Sequence, residues 1–111
     1  MNLLFVCSEN RLRSPTAEEV FSRFKNICAI GAGTNADADT PVSGDLIEWA
    51  DIVFVMEKSH RNKVSKKFRN LLKKKRVVCL GISDDYDRMQ PELIRLLENK
   101  VSRYVQLQPD I

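Results

Sequence analysis

The sequence predicts an α/β fold of three layers, a four-stranded parallel sheet with helices on both faces. Two observations carry this. Short apolar runs alternate along the chain with segments of helical spacing. The runs are continuous rather than alternately polar, as in strands covered on both sides. No internal repeat and no Gly/Ser/Pro-rich linker divides residues 1–111, so one domain is expected.

Leu3 to Val6 is the first such run. Ser14-Pro15 then opens a helix, with Ser as N-cap and Pro as first helical residue. Glu18 and Glu19 sit early in it, where the helix dipole favours acids, and Ala17, Val20, Phe21 and Phe24 should face the sheet. Ile27 to Ile30 is the second strand, ended by Gly31-Ala32-Gly33. Ser43 to Ala50 reads as a short helix and Ile52 to Met56 as a central strand. Val64, Phe68, Leu71 and Leu72 mark a helix over roughly Lys58 to Leu72. Val77 to Leu80 is the fourth strand. Gln90-Pro91-Glu92 starts the last helix, whose stripe is Ile94, Leu97, Val101, Tyr104 and Val105. Such alternation implies right-handed crossovers and ligands bound beyond the carboxyl ends of the strands.

Hydrophobic residues at 43% and charged residues at 30% are those of an ordinary soluble globular protein, here expected in the cytoplasm. No apolar run approaches the roughly 18 residues of a membrane span. Three cysteines with no CxxC pair argue against a disulfide framework and give no support to a zinc ribbon or a thioredoxin-type centre. Cys28 and Cys79, in expected strands, read as inert core, and so does Trp49. Net charge is +3, yet Lys58 to Arg76 carries ten cations and no acid. That stripe reads as a solvated helix face before it reads as a site for nucleic acid or another polyanion.

The first strand runs into Cys7-Ser8-Glu9-Asn10-Arg11-Leu12-Arg13-Ser14. A loop between a strand end and a helix start can turn its backbone N–H groups toward an anion. Arg13 can clamp two phosphate oxygens, and the same positive field favours a thiolate at Cys7. Cys7 is therefore the candidate nucleophile on phosphorus, with Ser8, Glu9, Asn10, Arg11, Leu12, Arg13 and Ser14 as the phosphate-binding loop. Ser14 could hydrogen-bond the sulfur when it leaves. Asn10 serves the loop, because Asn tolerates left-handed backbone. His60, on the inward face of its helix with Val64 and Phe68, reads as a satisfied core-edge histidine.

On these residues the chain resembles the low-molecular-weight protein tyrosine phosphatase family. The match comprises Cys7, Asn10, Arg13, Ser14, Pro15, Ala17 and Glu18, with Ala32-Gly33-Thr34 after the second strand and Trp49-Ala50-Asp51 before the third. The resemblance implies a flavodoxin-like fold. It also implies a two-step phosphomonoesterase reaction through a cysteinyl-phosphate, without metal or cofactor, on a phosphorylated substrate. The family's general acid lies after the fourth strand. Alignment on Tyr86 puts Asp84 in that place, with Asp85 next and Asp87 last. Asn35 to Val42 is shorter than the family's usual segment and holds no aromatic wall. Glu9 and Gly31 stand where a small or neutral residue and a Ser are usual, and Leu12 replaces a second Cys. The alternative is a pseudophosphatase that binds phosphoryl groups or a polyanion. Arsenate reduction needs cysteines closer together, and a phosphocysteine carrier would have no use for Arg13.

Overall fold

The structure, a computed structural model, describes residues 1–109. Strands β1 (Asn2–Cys7), β2 (Cys28–Gly33), β3 (Ile52–Val55) and β4 (Arg76–Cys79) form one parallel sheet in the order β2-β1-β3-β4. Helices α1 (Arg13–Phe21) and α5 (Pro91–Val101) pack with Leu3, Phe5, Phe54 and Val78 on one face. Helices α2 (Gly44–Trp49), α3 (Lys58–Lys67) and α4 (Arg69–Leu72) pack with Leu4, Val6, Val53 and Val55 on the other. This is the expected three-layer arrangement. From β1 the chain passes to β2 on one side and returns to β3 on the other, so strand order reverses between the carboxyl ends of β1 and β3.

The continuous apolar runs are explained by cover on both sides. Leu3 to Val6 and Val53 to Met56 are all 0% exposed. Phe5 stacks between Phe21, at 5.1 Å, and Phe54, at 5.2 Å. Each such ring contributes about 1.5–3 kcal/mol by burial. Among the described residues no helix is long and apolar enough to cross a membrane.

Several expectations are corrected. The first helix begins at Arg13 with Leu12 as its cap, so Ser14 is not the N-cap and Pro15 is not its first residue. The hydroxyl of Ser14 is wholly buried and bonded to side chains near the sheet instead. Glu18 and Glu19 consequently fall outside the first turn, and Phe24 lies beyond the helix, where it stacks on Phe21. Gly31 and Gly33 do not end β2 but belong to it, as spacers. A Cβ on Gly31 would lie 2.7 Å from Asn10 Oδ1 and 2.7 Å from Ser14 O, and one on Gly33 would lie 2.5 Å from Ser8 O. Cys28 is exposed, Cys79 is half-buried, and Trp49 packs half-buried at the margin of the second core. The helix expected to Leu72 breaks at Phe68 (φ −122°, ψ 35°). The break turns α4 onto α2, with Leu71 against Gly44. On α5 the buried stripe is Leu93, Leu97 and Val101, continued by Val105, while Ile94 is half-buried. Tyr104 is 39% exposed, edge-on to Phe54 and beneath Arg76.

The cations of residues 58–76 lie on α3, α4, the turn after them and, for Arg76, the start of β4, and among the described residues none pairs with a carboxylate. Lys75 instead caps the end of α2 through Glu48 O (2.9 Å) and Ala50 O (2.6 Å), and Arg61 reaches Val77 O (3.4 Å).

The close fit at Gly31 gives a test. Gly31→Ala forces a methyl group against the backbone of Ser14 and should cost about 1–3 kcal/mol, the range of an overpacked core. Urea unfolding should show a lower midpoint at unchanged slope. An unaltered midpoint would mean that the loop gives way there without strain.

Candidate active site

Strand β1 delivers Cys7 to the carboxyl edge of the sheet, 4% exposed. The chain then curls through Ser8 to Leu12 into α1. Asn10 makes this curl with φ 56°, the left-handed backbone that Asn tolerates best after glycine. The carbonyls of Cys7, Ser8 and Glu9 are satisfied by the segment after β2. Cys7 O accepts from Thr34 N (2.9 Å), Ser8 O from Asn35 N (3.0 Å) and Glu9 O from Asp39 N (3.2 Å). The short segment after β2 thus holds the loop from outside. The seven successive N–H groups from Ser8 to Ser14 donate to no acceptor among the described residues. With the N-terminus of α1 they make a cradle of donors of the kind that can hold an anion.

Cys7, Ser8, Glu9, Arg11, Leu12, Arg13 and Asp84 line a cavity of about 340 Å³. At its floor Cys7 Sγ lies 2.9 Å from Ser14 Oγ, which also contacts Asn10 Oδ1 (2.5 Å) and Ala32 O (3.3 Å). When the sulfur is a thiol, its S–H can donate to Ser14 Oγ while Ser14 donates to Asn10. When it is a thiolate, the Ser14 proton can turn to the sulfur. Asn10 and Ser14 therefore brace both the loop and the sulfur.

Arg13 is 4% exposed. Its Nη1 donates to the Glu57 carboxylate and to Ile82 O (2.8 Å), while Nε and Nη2 bond to no described residue and remain for an anion. Glu9 is exposed at the rim and pairs with Arg11 (3.4 Å), which also approaches Asp39 (3.6 Å). Leu12, 39% exposed, offers the cradle its backbone only. Of the three candidate acids, Asp84 lines the cavity. Asp85 is engaged by Ser83 Oγ (2.8 Å), and Asp87 donates its N–H to Gln90 Oε1 (2.9 Å). Tyr86 packs against the core instead of lining the cavity. Among the described residues no three His, Cys, Asp or Glu side chains gather as a metal site.

Glu57 and His60 are the members that sequence reasoning missed. His60 is 1% exposed, with Nδ1 accepting from Glu57 N (3.0 Å) and Nε2 3.0 Å from Ser8 Oγ. It is satisfied, as expected, but by the loop. The signal lay in topology: Met56-Glu57-Lys58 leaves the carboxyl end of β3, which pairs with β1. The loops after those two strands must therefore meet.

Burial first, and then the Arg13 guanidinium, lower the His60 pKa from 6.5 to about 4 against the opposing pull of Glu57 and Asp84. Between those values the unfolded chain binds a proton that the folded chain does not. Stability is therefore full above pH 6.5 and falls as the pH drops toward 4, by on the order of 2–3 kcal/mol from this group. Urea unfolding at pH 4.5 and pH 7 should show a smaller difference for His60→Gln than for the wild type. Equal differences would remove His60 from the acid sensitivity.

No family model matches the chain, and no curated protein matches it in sequence. Solved structures do resemble it. A low molecular weight protein tyrosine phosphatase from Streptococcus pyogenes, SP-PTP, superposes with a TM-score of 0.77 at 14% identity, over 95% of this chain and 93% of that one. The tyrosine phosphatase Wzb from Escherichia coli K30, in complex with phosphate, gives 0.71 at 23%, over 93% and 94%. The arginine phosphatase YwlE, as a cysteine-to-serine mutant with a phosphorylated active-site serine, gives 0.70 at 22%, over 96% and 98%. Along nearly its whole length, this chain therefore has the flavodoxin-like fold of the low-molecular-weight phosphatases.

Proposed function

We propose that the chain, read as a single domain, is a cysteine-dependent phosphomonoesterase of the low-molecular-weight protein tyrosine phosphatase family. It would act in the cytoplasm, where Cys7 stays reduced. The observation that carries this reading is the loop: seven successive N–H groups with no acceptor among the described residues, and Arg13 lining one cavity with Cys7. The dianion of a phosphate ester fits that field, with two oxygens on the Arg13 fork. The Cys7 thiolate attacks phosphorus in line as the P–O bond to the leaving group breaks. The Asp84 carboxyl gives the leaving oxygen its proton. The Asp84 carboxylate then takes a proton from water as that water attacks the cysteinyl-phosphate. Phosphate and thiolate result, the thiolate accepting from Ser14. The three solved relatives carry tyrosine or arginine phosphatase in their names, and the phosphorylated serine in YwlE accords with a covalent intermediate.

The lining holds no aromatic residue and two carboxylates, Glu9 and Asp84. This favours small or cationic phosphoryl compounds over acidic phosphotyrosyl peptides. A missing aromatic contact forfeits on the order of 0.5–1.5 kcal/mol. Arsenate reduction has less support: Cys28 pairs with Asn2 at the far end of the sheet, and Cys79 stands two strands from Cys7. The polyanion-binding alternative rests on the unpaired cations of residues 58–76, which lie outside the cavity lining.

Vanadate-sensitive hydrolysis of phenyl phosphate is the expected activity, with kcat/KM about tenfold or more above that for an acidic phosphotyrosyl peptide. Cys7→Ser should abolish turnover and keep phosphate binding; continued hydrolysis in that variant would end the covalent mechanism. Arg13→Lys should recover little of what Arg13→Ala loses, because an ammonium lacks the planar fork. Asp84→Asn should slow phenyl phosphate by about 100-fold or more, and p-nitrophenyl phosphate far less, since that leaving group needs no proton. Equal losses on both substrates would make Asp84 structural.

A further inference from the structure

Beyond the backbone cradle, we infer that the Ser8 side chain donates its hydroxyl proton to a bound phosphoryl oxygen, and that His60 is the positioning residue that directs it there. The inference rests on the phosphatase reading of the same cavity. It begins with the imidazole. His60 Nδ1 accepts the Glu57 N–H at 3.0 Å, so that nitrogen carries a lone pair. In the neutral ring the proton is therefore on Nε2, which lies 3.0 Å from Ser8 Oγ. Nε2–H is the donor and Ser8 Oγ the acceptor.

A serine hydroxyl has one proton and two lone pairs. With His60 filling a lone pair, the Ser8 proton stays uncommitted, and it meets no acceptor among the described residues. Ser8 follows the nucleophile directly and lines the cavity with it. A phosphoryl oxygen held by the loop is then the acceptor within that hydroxyl's reach. A hydroxyl free to rotate would spend part of its time donating to the histidine instead. The fixed imidazole removes that choice, which is preorganisation of a donor toward developing negative charge.

His60 itself does not exchange protons during the reaction. Arg13 from α1, Glu57 at the start of α3, Lys63 on α3 and Asp84 after β4 are the charged groups that face it. Burial and the neighbouring cations keep it neutral above about pH 4. The stretch Glu57–His60 thus holds two cavity donors at once, Arg13 through its carboxylate and Ser8 through its imidazole.

The test is a double-mutant cycle read in two ways: the Kd for inorganic phosphate by calorimetry, and kcat/KM for phenyl phosphate. Ser8→Ala should weaken both by roughly tenfold, the effect of one hydrogen bond to a charged group, while Ser8→Thr keeps the hydroxyl and should lose little. His60→Asn can still accept the Glu57 N–H but cannot reach Ser8, and should cost about as much as Ser8→Ala. His60→Gln, whose amide nitrogen reaches the Nε2 position, should recover most of that loss. In the Ser8→Ala background His60→Asn should cost nothing further, and the loss should be the same from pH 5 to 8. Phosphate affinity unchanged in Ser8→Ala would overturn the inference, whether or not the histidine variants fold. So would an equal His60→Asn loss in both backgrounds. A wild type without vanadate-sensitive turnover would refute the phosphatase reading alone, because the phosphate cycle still decides the Ser8–His60 donor.

Discussion

Peptide N–H groups without acceptors are costly to leave in a folded chain, and this protein leaves seven in succession, from Ser8 to Ser14, without one among the described residues. Much of the surrounding structure answers that constraint. The carbonyls of Cys7, Ser8 and Glu9 are bonded by Thr34, Asn35 and Asp39, so the segment after β2 braces the loop. Asn10 supplies the left-handed turn that reverses the loop, and its side chain is tied down by Ser14. Gly31 and Gly33 keep β2 slim enough for the loop to lie against it. Beneath all this, stacked Phe21, Phe5 and Phe54 anchor α1, β1 and β3 to one another. The loops after β1 and β3, joined by the Arg13–Glu57 and Ser8–His60 contacts, therefore start from a shared floor.

The fold was legible because both faces of the sheet are covered. Strands such as Leu3 to Val6 and Val53 to Met56 are apolar without interruption, and only a parallel sheet between helices demands that. Cys7, Arg13 and the loop between them were legible for a local reason: the candidate nucleophile, clamp and cradle sit within one stretch of chain. Ser14 shows where local rules fail. A serine before a proline has the pattern of a cap, but a hydroxyl that can reach a sulfur, an amide oxygen and a carbonyl is placed by tertiary contacts. The glycines of β2 misled similarly. They read as strand terminators by propensity and act as clearance for another loop.

Glu57 and His60 were hidden by distance along the chain. Helical periodicity says that His60 faces inward, but not that inward at the first turn of α3 means toward the loop after β1. Only the strand order brings them together. The same limit applied after β4, where the sequence offers three acids in four positions and only the folded cavity shows that Asp84 lines it.

The bonds that complete the site also have a consequence for folding. Ser8 to His60 spans 52 positions of sequence, Arg13 to Glu57 spans 44, and Arg13 to Ile82 spans 69. Closing loops of that length carries an entropy that only an assembled sheet offsets. The cradle is a local structure, whereas its charge and its orientation are properties of the whole chain. An anion seated on Arg13 consequently engages a residue tied to the ends of both β3 and β4. If the cavity takes an anion as proposed, ligand and fold are coupled by mass action, and saturation raises the melting temperature of the entire domain and not of the loop alone.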